Sequence, residues 1–94
     1  MNKHILMVLG WLLYPESYTK EELDQNYIDA FASEAAWSVA CEAAWSVACL
    51  ASCGVAFEAS YFADRTEYWL NEHFKKTGEN RQDYIDAINK DNKQ

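Results

Sequence analysis

Ninety-four residues with a net charge of −7 make one small domain, and hydrophobic residues, four Trp among them, supply 50% of it. The acidic balance disfavours direct nucleic-acid binding, which needs clustered Lys or Arg, while the apolar surplus is easiest to bury in a homo-oligomer. The longest charge-free run, 43–57, falls short of the roughly 20 residues of a membrane span.

Residues 2–14 are predicted as a first helix, apolar on most sides and stopped by Pro15, because the residue before proline avoids helical backbone angles. Gly10 inside it predicts a place where another helix packs close. Met1–His4 followed by Ile5–Tyr14 mimics the charged and apolar regions of a signal peptide, but Pro15-Glu16-Ser17-Tyr18 offers no small-x-small cleavage site. Secretion is therefore not expected.

Thr19 and Glu22 form a capping box that starts a second helix, with acidic residues in its first turn as a helix N-terminus favours. This helix is predicted to run over 20–53, through a tandem duplication: Glu34–Cys41 and Glu42–Cys49 are the same octapeptide, Glu-Ala-Ala-Trp-Ser-Val-Ala-Cys. Stepping by four gives a small row (Ala32, Ala36, Ala40, Ala44, Ala48, Ser52), a row of Trp and Cys (Trp37, Cys41, Trp45, Cys49, Cys53), and a polar row (Glu34, Ser38, Glu42, Ser46). On a helix each step winds about 40° around the axis, so a heptad seam is excluded and the rows suit crossing contacts at roughly −50°. Odd positions from Ala35 to Tyr61 are all apolar, which also matches a half-buried strand. The run has no turn signal before Gly54 and is rich in Ala, which favours helix over sheet.

A break is expected near Gly54, then a helix over 56–76 that ends at Lys75-Lys76-Thr77-Gly78, basic residues followed by a glycine stop. Asn80 caps a last helix, 81–90, docked by Tyr84, Ile85 and Ile88. The fold class expected is all-α: a single small helical domain, 1–94, built on a long alanine-rich central helical segment.

The candidates for chemistry are few. Cys41, Cys49 and Cys53 are odd in number and lack paired spacing or nearby His, so they read as reduced, small apolar side chains and neither a disulfide framework nor a metal site is expected. No phosphate loop, nucleophile elbow or zinc-protease motif occurs, so an enzyme is not expected and no cofactor is named. Glu34 and Glu42 arrive by duplication and have no catalytic neighbour. Tyr61, Arg65, Tyr68 and Trp69 share a helix face, which with Lys75, Lys76 and Arg81 outlines a ligand site for a nucleotide through stacking and phosphate pairing. The plainer reading is a packed aromatic face with a rim arginine. Glu16, Glu21, Glu22, Asp24, Asp29 and Glu34 make an acidic surface suited to a basic partner protein, or simply to solubility.

Residues His4–Leu12, Pro15–Ser17, Glu21–Leu23, Tyr68–Phe74, Thr77–Asn80 and Asp83–Asp86 give the chain its resemblance to small, alanine-rich, uncharacterised accessory proteins of large tailed bacteriophages. In this family variable alanine and aromatic repeats fill the middle, where this chain has Trp and Cys. The resemblance implies a protein of the infected bacterial cytoplasm that acts by stoichiometric binding of a host defence or metabolic protein. Two alternatives stand beside that expectation: a sponge for a small nucleotide immune signal, and a structural homo-oligomer without ligand.

Overall fold

Asn2 starts the fold, its side-chain oxygen accepting the backbone N–H groups of His4 and Ile5 at 2.9 and 3.1 Å and so capping α1 (Lys3–Leu13). The computed structural model describes residues 1–34, 38–53 and 56–92. Pro15 stops α1 as predicted: Tyr14 leaves helical geometry, and a short 3-10 turn, Pro15–Ser17, follows. Gly10 is pressed by a side chain, not by another helix. A Cβ placed there would lie 2.7 Å from Cζ of Tyr18, just past the turn.

The capping box forms as expected, with Thr19 Oγ1 accepting from the Glu22 N–H and Glu22 accepting from the Thr19 N–H at 2.8 Å, and it opens α2 (Lys20–Ser33). Here the chain departs from the expected helix over 20–53. Glu34 caps the end of α2 in extended geometry, and a new helix, α3 (Val39–Ser52), begins after Ser38. The two copies of the octapeptide therefore do different things. In the first, Ser38 is an N-cap whose hydroxyl accepts the Cys41 N–H at 3.1 Å. In the second, Ser46 lies inside α3 and donates to the Glu42 carbonyl one turn back at 2.9 Å. Serine can satisfy its hydroxyl either way, so the octapeptide alone does not choose between a helix start and a helix middle.

Cys53 ends α3 in extended geometry, in agreement with a break near Gly54, although Gly54 itself, like Trp37, lies outside the described residues. α4 (Ala56–Thr77) stops at Gly78, whose φ of 74° and N–H bond to the Phe74 carbonyl make the left-handed cap. α5 (Arg81–Asn92) completes the chain. Among the described residues every regular element is a helix, and none is long and apolar enough to cross a membrane.

α3 is the hub, packed most extensively on α4 and α2 and also on α1. Its Ala40, Ala43, Ala44 and Val47 are buried with Ile5, Val8 and Leu9 of α1, Leu23 and Ala30 of α2, Leu70 of α4, and Tyr84 and Ile88 of α5. Small side chains on α3 let three neighbours crowd one helix. The supposed polar row is only partly polar in setting, since Ser46 is fully buried, and Trp45 from the apolar row is 39% exposed.

Candidate functional site

Because α3 lies between α2 and α4, one of its faces is left as the floor of a groove. Ala48, Cys49, Ser52 and Cys53 form that floor, Asp24 and Tyr27 of α2 stand on one side, and Glu58 and Phe62 of α4 on the other, with Trp45 at one end. The groove encloses about 400 Å³. Trp45 meets Phe62 edge-to-face at 5.5 Å, Phe62 meets Tyr61 at 5.1 Å, and on α2 Tyr27 meets Phe31 at 6.3 Å. These edge-to-face pairs hold the walls in place. Phe31 and Ile28, on the outer face of α2, are more than half exposed (53% and 54%), so apolar surface continues beyond the groove.

The groove's charge is acidic. Asp24 and Glu58 line it, and no described lining residue is basic. Lys20 stands nearby and pairs with Asp24 at 2.7 Å. Burial pushes the Cys49 thiol above its ordinary range, helped by neighbouring Cys53 and Asp24, and burial does the same to Cys41 in the core. Such thiols are poor nucleophiles. Among the described residues no three His, Cys, Asp or Glu side chains converge as metal ligands would.

The acidic residues singled out by sequence are dispersed to separate tasks. Glu16 and Glu21 are exposed near the start of α2, and only Asp24 faces the groove. Glu22 and Asp29 line a different cavity of about 260 Å³ with Lys3, His4, Met7, Gln25 and Asn26. Glu34 turns inward to α1, where it accepts from Asn2 Nδ2 at 3.2 Å and lies 3.8 Å from His4 Nε2. His4 Nδ1 in turn meets Asn26 Oδ1 at 2.9 Å, and Asn26 Nδ2 donates to the His4 carbonyl. This cluster pins α1 to α2.

A matching cluster pins α5. His73 Nε2 and the Tyr84 hydroxyl both meet Glu79 Oε1, at 2.8 and 2.5 Å, and the Asn2 N–H donates to the Tyr84 hydroxyl at 2.8 Å. The hydrogen bonds from Tyr84 and His73 hold the Glu79 carboxyl below its usual range, and burial with the Glu79 bond raises Tyr84 to about 12. No described buried side-chain nitrogen or oxygen lacks a partner. The polar side chains of both clusters are partnered with one another, and His4 and Asn26 also border the α1–α2 cavity.

The aromatic candidates on α4 do fall together. The Arg65 guanidinium stacks over Tyr68 at 4.9 Å and Trp69 at 5.3 Å. Lys75 and Lys76 are exposed at the end of the same helix, Tyr61 belongs to the groove's aromatic chain, and Arg81 pairs with Glu67 at 3.1 Å. None of these residues lines the groove, the α1–α2 cavity, or the 90 Å³ cavity beside Met1 and Tyr84. Sequence reasoning missed the groove residues Tyr27, Trp45, Cys49, Ser52, Glu58 and Phe62 as a set. Tyr27, Ile28 and Phe31 on an otherwise acidic helix were the readable signal. Comparison with known protein families, characterised proteins and solved structures finds no match.

Proposed function

We propose that this chain is a non-enzymatic binding protein, a bacteriophage accessory factor that occupies and blocks a host defence or metabolic protein in the infected cell. The observation that carries this reading is the open aromatic groove over α3, walled by Tyr27 and Phe62 and flanked by Asp24 and Glu58. A monomer seldom leaves an apolar concavity beside exposed aromatic side chains without a use for it. An acidic rim steers a basic partner into the groove and discriminates against acidic ones. The same rim repels phosphate, which weighs against a nucleotide ligand at this place.

Affinity capture tests the reading. Tagged protein incubated with bacterial lysate at low salt should retain one host protein in near-stoichiometric amount, and retention should fall as salt is raised. Folded bait that retains no host protein at low salt would exclude the proposal.

A further inference from the structure

We infer that the groove over α3 seats one amphipathic helix of the partner protein, small or aliphatic along its buried face and carrying Lys or Arg on its flanks. The inference rests on the protein-binding reading and names what that site recognises. Ala48, Cys49 and Ser52 give the floor small side chains, so a helix backbone can approach α3 closely. From Trp45 to Cys53 the floor runs for about 12 Å, a little over two helical turns. α2 and α4 already flank α3 on both sides, and a helix laid between them completes a layer of packed helices around it. Trp45, 39% exposed and held by Phe62, is the large half-buried aromatic that anchors such contacts.

Charge selects among the occupants. Asp24 and Glu58 stand on opposite walls, so cations on both flanks of the incoming helix find carboxylates. The existing Lys20–Asp24 pair is an exposed i, i+4 contact, of a kind too weak to withhold Asp24 from a partner. A second copy of this chain would bring another −7 against the same acidic rim. Anionic lipid or nucleotide phosphate meets the same repulsion.

The experiment uses calorimetric titration of the full chain with a synthetic peptide of about 18 residues, leucine and alanine on one helical face and lysine on the other. A scrambled isomer and a version with glutamate for lysine serve as comparisons. Expected is saturable binding of the amphipathic peptide, at least about tenfold weaker binding of both comparisons, and a similar loss in Ser52→Arg, which fills the exposed floor. Bound peptide should also slow alkylation of Cys49 and Cys53 by iodoacetamide, a readout independent of any variant. Melting curves establish that Ser52→Arg stays folded, and if it does not, Asp24→Lys replaces it with the same expected loss. Equal binding of the scrambled peptide would reduce the effect to net charge and overturn the inference. So would unchanged affinity in a folded Ser52→Arg, or a dimer of the free protein that this substitution splits. Lysate capture that succeeds while the peptide fails removes the helix and leaves the protein-binding reading. A groove that binds peptide while no host protein is captured removes the host target and leaves the groove.

Discussion

A methyl group on Gly10 would collide with the phenol of Tyr18, so this buried glycine is held by space and not by backbone angle. Gly10→Ala gains up to about 1 kcal/mol of helix propensity but costs about 1–3 kcal/mol in overpacking, so the net is destabilising. In a Tyr18→Ala background the collision is gone, and the same substitution should stabilise. Urea denaturation of the four proteins in this cycle checks the sign reversal; the same sign in both backgrounds would contradict it. Tyr84 gives a second test, because its hydroxyl is raised to about 12 from the ordinary 10.0. Above pH 10 the unfolded chain loses this proton while the native protein keeps it, so stability present below pH 10 is lost as pH rises toward 12. Tyr84→Phe should be less stable at neutral pH yet lose less between pH 10 and 12. Thermal melts across that range, with tyrosinate absorbance followed in parallel, decide the matter.

The helix boundaries were legible wherever a local device sets them. Pro15, the Thr19–Glu22 box and Gly78 each act within a few residues, and each ends or starts a helix where the sequence says it should. The break between α2 and α3 was not legible. Ser38 and Ser46 have identical neighbours through Cys41 and Cys49, so the difference comes from tertiary contacts: Glu34 is drawn to Asn2 at α1, while Ser46 is enclosed in the core. The groove was unreadable for a related reason, since it exists only once three helices meet. Of the acidic candidates only Asp24 reaches it, whereas the stacking of Arg65 on Tyr68 and Trp69 could be read from spacing on one helix. The contrast between the serines is measurable. Ser38→Ala removes an N-cap and should cost about 1 kcal/mol. Ser46→Ala removes only a hydroxyl bonded within its own turn and gains helix propensity, so its effect should stay within about 0.5 kcal/mol. Chemical denaturation of both variants that found equal losses would refute the assignment of Ser38 as the functional cap.

At the scale of the whole molecule, the Cα radius of gyration is 12.5 Å, in line with about 12 Å for a compact chain of this length. The groove is thus a recess in a closed packing and not slack in a loose one. Packing is nonetheless uneven: α3 is gripped by three helices, whereas α5 docks chiefly on α1 and through the cluster of His73, Phe74, Glu79 and Tyr84. The duplication turns that unevenness into something the protein can report about itself. Cys41 and Cys49 follow the same seven residues, so in an unfolded chain an alkylating reagent meets them at closely similar intrinsic rates. In the native protein Cys41 is 2% exposed in the core, while Cys49 lines the groove. The ratio of their modification rates then reports how much more strongly the fold protects Cys41 than Cys49, with the effects of the shared preceding residues cancelled. Peptide mass spectrometry should find Cys49 modified at least about a hundredfold faster, a difference in protection of about 2.7 kcal/mol. Equal rates would mean that α3 opens as a single unit, and either result calibrates native-state protection against a reference thiol eight residues away in the same chain.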